Sequence, residues 1–130
     1  MDGITLQESE RQHAERLGIP NYQVWRLNKY DQTLARRLGR SYDLLVDNNP
    51  SAFACCWRHF CVMMLEYQKL LRSGGQLLTE ARGLAHSVTG NHSRWCFSFE
   101  DWSWVGLRLG LVPLRLTETV FALEKPARLG

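Results

Sequence analysis

The sequence predicts a single α/β domain, with helices on both faces of a mostly parallel sheet. Three observations predict it. Segments rich in β-branched and aromatic residues alternate with segments of helical period. The continuous run Tyr42-Asp43-Leu44-Leu45-Val46 suits a strand buried on both faces, as in a parallel sheet. Glycine, proline and asparagine punctuate the boundaries between them.

The elements follow in chain order. Gly3-Ile4-Thr5-Leu6 reads as a short strand, and Gln7 to Leu17 as a polar helix that Gly18 terminates. Pro20-Asn21 is a turn, and Tyr22 to Leu27 a strand. Asp31 caps a short helix that ends at Gly39. Tyr42 to Val46 is the third strand, followed by the turn residues Asp47-Asn48-Asn49-Pro50-Ser51. The longest helix is predicted over 52–72. There Phe53, Cys56, Trp57, Phe60, Met64, Tyr67 and Leu71 recur at steps of three and four, and Gly74-Gly75 stops it. Gln76-Leu77-Leu78-Thr79 is a buried strand, and 80–97 is irregular, long enough to be a functional loop. Ser98 starts a helix that ends at Gly110, with Asp101 three residues on as an imperfect capping box. Gly106 and Gly110, four apart, read as close packing and helix termination. Strands at 113–116 and 120–123 flank Thr117-Glu118-Thr119 as a terminal hairpin, which adds one antiparallel strand.

Composition bounds the function. The 130 residues are 45% hydrophobic and 22% charged, within the range of one ordinary globular domain. The net charge of +3 permits an anionic partner, but basic residues are scattered among acids, so no specific nucleic-acid binding is expected. The longest apolar run, Phe60 to Leu65, is far below the ~18 residues of a membrane helix. No basic-then-apolar leader follows Met1, and the expected compartment is the cytoplasm. The cysteines, Cys55, Cys56, Cys61 and Cys96, contain no CxxC and read as buried free thiols. Cys55 and His59 share a helical face. With Cys61 they make a conceivable zinc set, but the spacing matches no common zinc framework, so no metal is expected. There is no Ser-His-Asp spacing, HExxH or P-loop.

Four stretches, in order, resemble the class I S-adenosylmethionine-dependent methyltransferases. Gly3-Ile4-Thr5-Leu6 with Gln7-Glu8 resembles that family's second strand and the turn after it. Tyr42-Asp43-Leu44-Leu45-Val46-Asp47-Asn48 resembles the fourth strand and its acidic loop. Leu70-Leu71-Arg72-Ser73-Gly74-Gly75-Gln76-Leu77-Leu78 resembles the leucine-arginine-proline-glycine-glycine stretch before strand five, with Ser73 in place of proline. Thr119-Val120-Phe121-Ala122-Leu123-Glu124-Lys125-Pro126 resembles the terminal antiparallel strand. The likeness covers nearly the whole chain and implies a three-layer, Rossmann-like sheet.

It also implies a deficit. The family's first strand, central in its sheet, and the glycine-rich turn after it have no counterpart here, and no GxGxG or GxGxxG occurs. The expectation is therefore one N-terminally incomplete domain over 1–130. Unpaired buried backbone groups cost ~1–3 kcal/mol each, a large fraction of a domain's stability. Three resolutions are open: the chain is a fragment of a longer protein, a second polypeptide completes the sheet, or the strands flanking the gap pair directly.

In open α/β sheets, ligands bind beyond the carboxyl ends of the strands, here Thr5-Gln7, Asn28-Asp31, Asp47-Pro50 and Glu80-Ser87. The resemblance implies that Thr5, helped by Gln7, meets the cofactor's ribose hydroxyls. It implies that Asn28, or Asp31, meets the adenine amine, and that Asp47 and Asn48 border the cofactor. Asp47-Asn48-Asn49-Pro50 is similar to, but not the same as, the asparagine-proline-proline-aromatic signature of amine methyltransferases. Each position also has a plain reading as turn or cap chemistry. Methyl transfer needs alignment above all, and a base only if the acceptor must lose a proton. Asp47, Glu80 and His86 are the catalytic candidates, with His59 an exposed alternative. Trp95, Trp102 and Trp104 could line an apolar acceptor pocket. The implied activity is methyl transfer to a small-molecule or lipid-like acceptor once the fold is completed. The alternative is a non-catalytic remnant of the fold that dimerises or binds a partner.

Overall fold

Helices and strands alternate in the computed structural model, which describes residues 1–51, 54–85 and 96–127. The elements are β1 (Asp2–Thr5), α1 (Glu8–Arg16), β2 (Gln23–Arg26), α2 (Leu34–Leu38), β3 (Tyr42–Val46), α3 (Trp57–Leu70), β4 (Leu71–Glu80), α4 (Ala81–Ala85), α5 (Phe99–Arg108), β5 (Val112–Arg115) and β6 (Val120–Glu124). Gly18, Gly39 and Gly110 follow the helices they were expected to end, all with positive φ. Ser98 and Asp101 close the capping box of α5 from both sides. Among the described residues, no helix is long and apolar enough to cross a membrane.

The strands form two sheets. β1 and β2 pair in parallel; the second sheet has the order β3-β4-β6-β5. β3 and β4 are parallel, and β6 runs antiparallel to both β4 and β5, so it is the one reversed strand of its sheet. β1 and β3 do not pair with each other, which removes direct pairing across the gap as a resolution. Side chains nevertheless tie the two sheets together. Near the amino ends of β1 and β3, the Tyr42 hydroxyl donates to the Asp2 carboxylate, with Arg40 3.6 Å away. Beyond the carboxyl ends of β2 and β3, Lys29 reaches Asp47. Amino end therefore meets amino end, so β1, β2 and β3 run in one sense.

Register partners share a sheet face. Leu45, Leu77 and Leu123 form one such row, and Thr79 pairs with Phe121 beside it. On this face α5 seats Phe99 against Phe121, centroids 4.9 Å apart, and brings Gly106 against Leu123. A Cβ at Gly106 would lie 2.3 Å from a Leu123 methyl, so close packing explains that glycine. α3 adds Phe60, Met63, Met64 and Tyr67 to the same core.

Several local expectations are corrected. β3 is not buried on both faces: Leu44 and Val46, two residues apart and so on one face of this edge strand, are 53% and 62% exposed. α3 begins at Trp57 rather than 52, since Cys56 still has extended backbone; residues 52 and 53 of the expected helix lie outside the described residues. Gly74-Gly75 does not stop that helix; Leu71 already leaves it with β geometry. The glycines lie inside β4, where the register with β3 jumps, and a Cβ at Gly75 would sit 3.0 Å from the Tyr42 carbonyl oxygen. Asp31 does not cap α2 directly. It accepts from the Thr33 amide at 2.7 Å, and Thr33 is the N-cap residue. Residues 80–97 are not wholly irregular, because α4 lies there. The cysteines are free but not buried: Cys55 and Cys96 are exposed, Cys56 and Cys61 half-buried.

The Asp2–Tyr42 contact predicts a pH dependence. The Tyr42 hydrogen bond holds the Asp2 carboxyl below its ordinary 3.8, despite some opposing burial. Burial and Asp2 push the Tyr42 phenol up to about 12. The depressed Asp2 stabilises the fold above its unfolded pKa, and that contribution disappears as pH falls through the folded value. The raised Tyr42 stabilises below its unfolded pKa of 10.0 and loses its contribution as pH rises towards about 12. Urea midpoints should therefore fall at both extremes, and Tyr42→Phe should flatten both arms. An unchanged profile in that variant would show the contact to be inert.

Candidate functional site

The loops beyond the carboxyl ends of β1, β2, β3 and β4 gather most of the candidate residues. Ile4, Thr5, Leu6, Leu27, Asn28, Lys29 and Tyr30 line a groove of about 200 Å³ at the ends of β1 and β2. Thr5 donates its hydroxyl to Glu10 and accepts from the Gln7 amide at 3.2 Å. Gln7 is exposed at the start of α1, where its side chain makes no capping bond. Asn28 accepts from the Tyr30 amide at 2.9 Å through Oδ1, the plain turn chemistry of that residue, which leaves that oxygen a further lone pair. Asp31 does not line the groove. Its carboxylate is taken up by Thr33 and by Arg37 at 3.0 Å, and the Thr33 bonds hold it below the ordinary carboxylate range.

Asp47 is the hub of the next loop. One oxygen accepts from Lys29 Nζ at 3.0 Å and from the Tyr67 hydroxyl at 2.7 Å; the other accepts from the Asn49 amide at 3.1 Å. Lys29 also donates to the Asn49 carbonyl at 2.7 Å, and Tyr30 to the Pro50 carbonyl at 3.0 Å. Both phenols are held well above their ordinary range, first by burial and then by the Asp47 carboxylate, so they act here as neutral donors. Sequence reading gave no role to Lys29 and Tyr30, although they lie within the Asn28-Asp31 stretch, and it did not single out Tyr67. The first two directly follow Asn28 at a strand end. Tyr67 sits on the apolar stripe of α3, where a buried hydroxyl needs a partner.

The fourth loop packs on this one. Glu80 accepts from the amides of Arg82 and Gly83, at 2.9 and 3.1 Å, and so holds the first turn of α4. A Cβ at Gly83 would lie 1.8 Å from the Asn48 carbonyl oxygen. The Asn49 side-chain amide lies 3.0 and 3.1 Å from the carbonyls of Asn48 and Gly83, and the orientation that turns its NH2 towards them satisfies both. Asp47, Asn48 and Glu80 are thus assembled at one rim. His86 and Trp95 lie outside the described residues. Trp102 is fully buried and unavailable to an acceptor. Trp104 lines a separate cavity of about 100 Å³ with Trp57, Cys61 and Met64, and stacks under Arg108 at 4.0 Å.

No family model matches the chain, and no curated protein sequence does. Solved structures do. The sugar N-methyltransferase KedS8 from Streptoalloteichus superposes over 96% of this chain and 70% of its own, with a TM-score of 0.69 at 16% identity. The N-methyltransferase NodS from Bradyrhizobium japonicum does so over 96% and 72%, with a TM-score of 0.68 at 12% identity. An O-methyltransferase family protein from Burkholderia thailandensis matches 97% of this chain at a TM-score of 0.65 and 18% identity, and the chain spans only 42% of it. By its strand order and these superpositions, this chain has a fold like that of the class I S-adenosylmethionine-dependent methyltransferases, with a small and partial sheet.

Proposed function

We propose that the chain is the main part of an S-adenosylmethionine-dependent methyltransferase acting on a small-molecule or lipid-like acceptor. Its sheet is completed by a parallel strand between β1 and β3, from polypeptide outside these 130 residues. The observation that carries the reading is the break in the sheet. β1 and β3 run in one sense, do not pair with each other, and leave Leu44 and Val46 exposed where a further strand and its covering layer would fit.

The residues present suit part of the cofactor. Thr5 and Asn28 share one groove, placing a hydroxyl and an amide where the ribose and the adenine amine would meet them. Asn28 takes the adenine role over Asp31, whose carboxylate is occupied elsewhere. Gln7 supports Thr5 at the ribose edge. When bound, the cofactor supplies an electrophilic methyl on a sulfonium. The chain's own contribution is alignment. Lys29, Tyr30 and Tyr67 fix the loop through Asp47 and Asn48, and Glu80 holds α4 against it. Asp47 and Asn48 face the reacting centre, and His86 or Glu80 takes the acceptor proton where one must leave.

A second reading, a partner-binding or dimerising remnant, draws support from the exposure of Trp57, Trp104 and Leu107. Calorimetric titration separates the two. The 130-residue chain should give no heat with S-adenosylmethionine. The chain extended by the in-frame sequence encoded ahead of Met1 should bind it. Micromolar binding by the short chain would overturn the need for a completing strand; no binding by the extended chain would favour the remnant.

A further inference from the structure

We propose that Cys55, Cys56 and His59 form a binding site for a zinc-class divalent metal ion. α3 starts at Trp57, so the two cysteines end the incoming loop while His59 lies in the first helical turn and reaches back over them. Cys55 Sγ lies 2.7 Å and Cys56 Sγ 3.3 Å from His59 Nδ1, and the two sulfurs are 3.8 Å apart. No other group of three potential ligands converges in this way among the described residues.

The spacing can be compared with what a metal requires. Bond lengths of about 2.3 Å to sulfur and about 2.0 Å to nitrogen, at tetrahedral angles, place two sulfurs about 3.8 Å apart and sulfur and nitrogen about 3.5 Å apart. The sulfur–sulfur distance already agrees. The Cys56–His59 distance is short by a few tenths of an ångström, and the Cys55–His59 distance by less than about 1 Å. Rotation of exposed side chains can supply both changes, because Cys55 and His59 face solvent. Two thiolates and an imidazole are the ligand set that selects zinc over magnesium or calcium. The fourth position opens to water. The set differs from the one the sequence suggested: Cys56 replaces Cys61, which instead lines the cavity beside Met64 and Trp104. This inference stands apart from the methyltransferase reading.

Cobalt(II) is the probe, added to the full chain kept reduced with a non-chelating phosphine. Binding should saturate at one ion per chain, with sulfur-to-cobalt charge-transfer bands and the intense visible bands of tetrahedral cobalt, and zinc should bleach both. Cys55→Ser, Cys56→Ser and His59→Gln should each weaken binding about tenfold or more, with the far-ultraviolet dichroism unchanged. Cys61→Ser should bind as the parent does. X-ray absorption of the zinc form should report two sulfurs and one imidazole. The proposal fails if no charge-transfer band forms at millimolar cobalt, if one ion binds per two chains, or if Cys61→Ser abolishes the band.

Discussion

Asp47→Ala should destabilise the chain by about 3 kcal/mol. The carboxylate satisfies a lysine, a buried phenol and a backbone amide at once. Its removal leaves the Tyr67 hydroxyl unpaired in a buried site and leaves Lys29 with only the Asn49 carbonyl to hold it to the loop. Tyr67→Phe removes one of these bonds without opening a cavity and should cost about 1–2 kcal/mol. Because the two residues share one hydrogen bond, the double variant should lose less than the sum of the singles, by about 1 kcal/mol. Urea denaturation of the four proteins measures all of this. Strict additivity, or a loss from Asp47→Ala within ~0.5 kcal/mol, would show that the hub does not hold the loop.

Gly83→Ala should be the most disruptive conservative change. On helix propensity alone alanine would stabilise α4 by up to about 1 kcal/mol. The added methyl meets the Asn48 carbonyl oxygen, which belongs to backbone and cannot rotate away. Either α4 or the Asp47–Pro50 loop must move, at a net cost of about 2–3 kcal/mol. Thermal melting of the variant gives the sign directly: a rise in Tm would mean that the two loops do not touch as described.

What the sequence revealed depended on how local the cause was. Gly18, Gly39 and Gly110 mark helix ends because the requirement for positive φ lies in the residue itself. The Ser98–Asp101 box spans three residues and was equally legible. The exposure of Leu44 and Val46 was not, because an apolar run does not say whether its neighbour on either side is present. Nor were the partners of Asp47, since Lys29 and Tyr67 lie 18 and 20 residues away in opposite directions along the chain. Cys55 and His59 were expected on one helical face; instead Cys55 lies ahead of α3, and both Cys55 and Cys56 meet His59 because the chain is extended at the entrance to the helix.

Hydrogen exchange along β3 tests the split sheet most directly. In a parallel ladder alternate residues direct their backbone groups to opposite neighbours. The Asp47 amide donates to Leu78, so Leu45 and Asp47 face β4 while Leu44 and Val46 face the gap. In the 130-residue chain the amides of Leu45 and Asp47 should be protected, and those of Leu44 and Val46 should exchange at rates close to those of an open chain. Protection of Leu44 and Val46 equal to that of Leu45 would mean that β3 already has a neighbour on that side, and the vacant strand position would not exist.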